Sequence, residues 1–120
     1  MSINDGLVER YLAVWNEPDA DRRRKEVAEI WAEDGLYANT GREFHGHEGI
    51  LEAVTEAYDE FVAQGFAFRL HAHAENHNTA RITWNMASRS GGDVAARGTQ
   101  YLVFAEDGRI RTDHQFPEEI

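Results

Sequence analysis

The chain has no cysteine, which excludes disulfide frameworks, thiolate metal sites and cysteine nucleophiles together. Positive charge is scarce as well. Twelve Lys and Arg stand against 22 Asp and Glu, a formal net charge of −10. Nucleic acid and anionic membrane surfaces both call for a clustered basic face, and the one dense basic run is Arg22-Arg23-Arg24-Lys25. That run shares a helical period with Val27, Ile30 and Trp31, so it reads as the solvated face of an amphipathic helix. Neither a nucleic-acid nor a membrane partner is expected. Long apolar runs are missing too: Asp5, Glu9, Arg10, Glu17 and Asp19 interrupt the first thirty residues. Neither a secretory signal nor a membrane span is expected there, and a cytoplasmic location follows. No linker, internal repeat or low-complexity segment divides the chain, which predicts one domain over residues 1–120.

What is present is apolar and aromatic. The 120 residues are 42% hydrophobic, with three Trp, four Tyr and six Phe, enough for one core and a pocket. Ser2 and Asp5 form a capping pair ahead of Leu7, Val8, Tyr11, Leu12 and Trp15, which recur at helical spacing up to the break at Pro18. Asp19 or Asp21 can cap a second helix, ending at Asp34-Gly35. Residues 36–40 read as a short strand and 41–46 as a connection. Residues 47–64 form the clearest helix, with Ile50, Val54, Ala57, Tyr58, Phe61 and Val62 on one face and Glu48, Glu52, Glu56, Asp59 and Glu60 mostly on the other. After Gly65 the period changes to two. Phe66, Phe68, Leu70 and Ala72 alternate with polar or small neighbours, as do Ile82, Trp84 and Met86. Turn signals at Ser90-Gly91-Gly92-Asp93 and Glu106-Asp107-Gly108 complete a meander of about four long antiparallel strands. Helices grouped ahead of strands predict an α+β fold.

Three segments carry a resemblance. Val8-Glu9-Arg10-Tyr11 with Trp15-Asn16, the run from Trp31 to Asn39, and Asp107-Gly108-Arg109-Ile110 leading into Asp113-His114-Gln115-Phe116 resemble the nuclear transport factor 2-like superfamily, in its SnoaL-like and ketosteroid-isomerase-like branch. The resemblance spans nearly the whole chain. It implies a cone of three helices and a strongly curved sheet around a small-molecule pocket. It does not name a reaction, because isomerases, dehydratases, epoxide hydrolases, polyketide cyclases and proteins of no known chemistry share the cone.

Carried over residue by residue, the resemblance makes Tyr11 the donor to a developing enolate oxygen, a role that stabilises charge arising only in the transition state. The general-base position of the isomerases falls on Asn39, and an amide cannot take up a proton at useful pH. Their second oxyanion donor falls on Gln100. The segment with Tyr37 and Asn39 also resembles the water-holding pair of the limonene-epoxide-hydrolase branch, whose two carboxyls fall on Gln115 and Asn85. Every expected carboxyl is thus an amide. Asp113 shares a strand face with Gln115 by the two-residue period, and burial would raise its pKa toward acid–base use. His114, its neighbour, is a second candidate.

Two histidine pairs, His45 with His47 and His71 with His73, have the i,i+2 spacing that puts two imidazoles on one strand face. The sequence places no third ligand beside them, so no metal and no cofactor are expected. The reading is a homodimeric cone with Trp15, Tyr11, Tyr37, Asn39, Asn85, Gln100 and Gln115 around a small, mostly apolar, oxygen-bearing ligand of phenolic or terpenoid type. Asp113, Tyr11 and His114 are its acid–base candidates. A non-catalytic binding or interaction domain is the alternative. Which of Trp84 and Asn85 faces the pocket is open, since Ile82, Trp84 and Met86 form the more apolar face while the epoxide-hydrolase comparison turns Asn85 inward.

Overall fold

A computed structural model describes residues 6–120; the proposed Ser2–Asp5 cap lies outside them. Helix α1 (Leu7–Asn16) buries Leu7, Tyr11, Leu12, Val14 and Trp15 and stops short of Pro18. Its last residue docks it onto the sheet: Asn16 Nδ2 donates to the Phe68 carbonyl at 2.8 Å, and Asn16 Oδ1 accepts from the Phe68 N–H at 2.9 Å. Helix α2 (Ala20–Ile30) is capped by Asp19, whose Oδ1 accepts from the backbone N–H groups of Asp21 and Arg22. The basic run is not wholly solvated. Arg23 is buried, donates to the Glu17 carbonyl at 2.7 Å and lies 4.5 Å over the Tyr58 ring, while its neighbours stay exposed.

Helix α2 ends at Ile30, four residues before the predicted stop, and strand β1 (Trp31–Ala38) starts at once. Trp31 and Ala32 are both buried, a pattern made possible by a register shift between Trp31 and Leu36 against the neighbouring strand. Gly35 serves this bulge rather than a helix stop. A Cβ there would sit 2.9 Å from the Ala32 carbonyl oxygen, so the close approach of two backbones requires glycine. The expected connection after β1 holds a short strand, β2 (Glu43–His45). Helix α3 (Gly46–Ala57) follows and runs on as one π-helical turn, Tyr58–Val62.

Strands β3 (Phe66–Asn76), β4 (Thr79–Ser88), β5 (Val94–Phe104) and β6 (Ile110–Glu118) complete a six-stranded sheet in the order β2-β1-β6-β5-β4-β3. Among the described residues only β1 and β6 pair in parallel. This is the expected α+β architecture of three helices on a mostly antiparallel sheet. The helices cover one sheet face, and Tyr11, Val27, Ile30, Trp31, Ile50, Val54, Ile82, Leu102 and Ile110 are buried between them. Each such large side chain contributes roughly 1.5–3 kcal/mol of transfer free energy.

Register decides the faces of the strands. Gln100 pairs with Ile82 and Gln115, and Leu102 with Asp113, so these side chains share the helix-covered face. Trp84 joins them. Its indole lies flat over Gly98, its partner on β5, where any Cβ would collide with the ring. Thr83, Asn85, Tyr101, His114 and Phe116 consequently point outward. No helix among the described residues is long and apolar enough to cross a membrane.

Candidate functional site

Asp113 is wholly buried at the middle of β6. Its Oδ2 accepts from the Tyr11 hydroxyl at 2.6 Å and its Oδ1 from Gln100 Nε2 at 2.6 Å. The orientation of the Gln100 amide is set from behind, because its oxygen accepts from the Trp84 indole N–H at 3.0 Å and an indole can only donate. The Nε2 group must therefore face Asp113. The Trp31 and Trp15 indole N–H groups are buried without a well-formed hydrogen bond, yet Trp31 lies near enough to lower the Asp113 pKa and Trp15 to lower that of Tyr11. Burial wins over these donors. It pushes the Asp113 carboxyl up to about 7, against the pull of Tyr11, Gln100 and Trp31. Burial, then the nearby Asp113 charge, holds the Tyr11 phenol well above its ordinary value.

A cavity of about 190 Å³ opens above this dyad. Tyr11, Leu12 and Trp15 of α1 form one wall, and Phe68, Trp84, Gln100 and Gln115 form the sheet floor. Tyr37 and Phe44 close a third side. Asp113 does not line it. Tyr11 and Gln100 stand between the carboxyl and the cavity, so Asp113 reaches a ligand only through them. Tyr37 donates to Gln115 Oε1 at 2.6 Å, and burial followed by the Asp113 charge raises its pKa strongly.

Of the residues singled out in the sequence, Tyr11, Trp15, Tyr37, Asn39, Gln100 and Gln115 border the cavity. Asn39 does so with its oxygen already engaged, since Oδ1 accepts from the backbone N–H groups of Gly41 at 3.0 Å and Arg42 at 2.9 Å. That turn leaves only its amide nitrogen to face Tyr37, and a water-holding role for the oxygen is lost. His114 and Asn85 do not join the site. His114 sits opposite Tyr101 on the outer face, and the Asn85 oxygen accepts from Arg97 Nε at 2.7 Å on that same face. An inward-facing Trp84 requires an outward-facing Asn85, because the pleat alternates.

The histidines find structural partners. His47 donates to the Trp31 carbonyl at 2.7 Å, and His45 lies 3.0 Å from Glu43. A bulge between Leu70 and Ala72 breaks the other pair: His73 pairs with inward Ile82, while His71 lies 3.4 Å from Asn85 on the outer face. Among the described residues no three His, Asp or Glu side chains converge as a metal site would need.

The rim is charged. Arg42, Glu56 and Glu60 border the cavity mouth, although Glu56 and Glu60 read as solvent-facing positions of the third helix. Glu52, Glu56 and Glu60 follow one another at intervals of four along one helix edge, but only the docking of α3 and its π-helical extension against the sheet shows that this edge meets the cavity.

The profile of the SnoaL-like domain family matches residues 8–112. The crystal structure of a proposed isomerase of the SnoaL-like family from Agrobacterium tumefaciens str. C58 is similar with a TM-score of 0.88 at 31% identity, covering 99% of this chain and 100% of that one. A proposed polyketide cyclase from Sinorhizobium meliloti shares the fold at 18% identity and a TM-score of 0.71, with 92% and 93% of the two chains covered. A proposed ketosteroid isomerase from Kribbella flavida DSM 17836 does so at 19% and 0.72, with 96% and 77% covered. No functionally curated protein matches the chain.

Proposed function

Because the chain belongs to the SnoaL-like domain family, we propose that its cone binds a small, mostly apolar, oxygen-bearing molecule and moves a proton onto or off that oxygen. The reaction class is isomerisation, dehydration or hydration and cyclisation. The observation that carries this reading is the wholly buried Asp113 bonded to two side chains, Tyr11 and Gln100, that themselves border the cavity. A carboxyl with a pKa near 7 is half protonated at neutral pH, the condition under which it can both give and receive.

The proton balance runs through Tyr11. With Asp113 ionised, the single phenolic proton is held by the carboxylate. With Asp113 neutral, its proton on Oδ2 can be donated to the Tyr11 oxygen, and the phenolic proton turns toward the cavity. As Tyr11 protonates a bound oxygen, Asp113 returns a proton to Tyr11, so the net transfer is from Asp113 to the ligand. The second N–H of Gln100 offers another donor to the same oxygen, a pair suited to developing enolate or alkoxide charge. The designations of the neighbouring structures as isomerase and cyclase belong to chemistry of this kind.

Deuterium entry from D₂O at the α-carbon of small cyclic ketones, in which solvent water takes the carbon-bound proton while Tyr11 donates to the carbonyl oxygen, tests the proposal by NMR. Wild-type protein should accelerate exchange, and Tyr11→Phe and Asp113→Asn should each slow it by about 10²-fold or more. A binding-only reading has its own support in the amides at Asn39, Gln100 and Gln115, where relatives are expected to carry carboxyls. It prevails if ketones or phenols quench tryptophan fluorescence while exchange stays at the buffer rate. The reading also keeps the chain a cytoplasmic homodimer, joined through the outer sheet face.

A further inference from the structure

We propose that the ligand carries a positively charged nitrogen at the end of its apolar body, lodged at the cavity mouth between Glu60 and the aromatic wall that Phe61 and Phe68 form. The inference rests on the pocket reading above and narrows its substrate class to amine-bearing ketones, alcohols or phenols.

Both halves of the mouth set a carboxylate beside an aromatic ring. In one, the protein supplies its own cation: the Arg42 guanidinium lies 4.4 Å over the Phe44 ring and pairs with Glu52 at 2.7 Å and Glu56 at 3.0 Å. Aromatic face and carboxylate together hold a positive charge there. In the other half, Phe61 and Phe68 stand edge to face at 6.2 Å, and Phe68 and Trp84 at 5.2 Å. Glu60 lies at their lip, and among the described residues no basic side chain approaches it within ion-pair distance. A carboxylate and an aromatic wall thus stand together there without a cation from the chain.

Long-range charge acts in the same sense. A chain of net charge −10 raises the local concentration of cations at a low-dielectric cleft and lowers that of anions. Glu60 at the mouth and Asp113 beneath the floor both repel a ligand carboxylate. A ligand with oxygen on Tyr11 and ammonium at Glu60 would span the cavity from the α1 wall to the rim, with its apolar body against Trp15 and Trp84.

Three probes with one apolar body and different charge decide the matter: 2-phenylethylammonium, 2-phenylethanol and 3-phenylpropionate, titrated against tryptophan fluorescence and by calorimetry at pH 7.5 and low salt. The ammonium is expected to bind about tenfold tighter than the alcohol and the carboxylate at least tenfold weaker. In Glu60→Gln the ammonium-to-alcohol ratio should fall to within about twofold. Alcohol binding equal to or tighter than ammonium, or an ammonium preference that survives Glu60→Gln, overturns the inference while leaving the pocket intact. If none of the three binds, the pocket reading fails and the inference falls with it.

Discussion

Asp113 shows what one buried group does to the whole chain. Its carboxyl titrates near 7 in the folded state against an ordinary value of 3.8. Below about pH 4 both folded and unfolded chains hold this proton, and the burial cost is absent. Between pH 4 and 7 the unfolded chain has released it and the folded chain has not, so stability falls as pH rises. Above the folded pKa the loss is complete, on the order of 4 kcal/mol for a shift of this size. Asp113→Asn imitates the neutral carboxyl, with its oxygen accepting from Gln100 and its nitrogen donating to the Tyr11 oxygen. The variant should therefore melt higher than wild type at pH 8 and lose that advantage by pH 4. A difference in melting temperature that does not change with pH would rule out the raised pKa. At Gly98 the contact is steric: a Cβ would collide with the Trp84 indole. Gly98→Ala should cost about 1–3 kcal/mol in a urea melt and disturb the Trp84–Gln100 bond behind Asp113.

At the scale of elements, the turn joining β1 to β2 carries more than its length suggests. Asn39 organises it through two backbone N–H groups, and it presents Arg42 to Glu52 and Glu56 across the mouth. Asn39→Ala should destabilise by about 1 kcal/mol in denaturant melts, the usual net worth of such bonds. Asn39→Asp keeps both acceptors, but a carboxylate receiving two backbone N–H bonds has a lowered pKa and is a weak base. Wild type is expected to leave Δ5-ketosteroids and simple terpene epoxides unchanged, and Asn39→Asp should not introduce steroid isomerisation. Turnover by Asn39→Asp, monitored by conjugated-enone absorbance, would show that the turn releases the side chain.

For the whole molecule, the dimer expectation changes its footing. Trp84 and Leu102 both lie on the helix-covered side, and Leu102 is fully buried, so neither is free to join an interface on the outer sheet face. The outer face instead exposes Tyr101 and Phe116, 42% and 50% accessible, packed edge to face at 5.5 Å. Aromatic residues of this kind are enriched at interfaces. Sedimentation at micromolar concentration should give twice the 13.7 kDa chain mass, and a Tyr101→Glu, Phe116→Glu double variant should sediment as a monomer. A wild-type monomer across that range removes the interface.

Pattern and spacing alone determined the α+β class, the long strands and the third helix, because burial of one face imposes periods of 3.6 and 2 directly on the residues. Tyr11, Trp15, Tyr37 and Gln100 come from the resemblance of their segments to the cone family, and all four border the cavity. The end of the second helix is ambiguous in the sequence, because Trp31-Ala32-Glu33-Asp34 suits a helical period as well as a bulged strand, and only pairing with β6 separates the two. Which strand face lines the cavity was a tertiary decision: Gly98 leaves room for the Trp84 ring on one side, and the pleat then turns Asn85 and His114 away. The position of Asp113 behind Tyr11, the opposite faces of His71 and His73, and the meeting of Glu60 with the cavity mouth likewise come from register and helix docking. Those are contacts between segments far apart in sequence, and no local period records them.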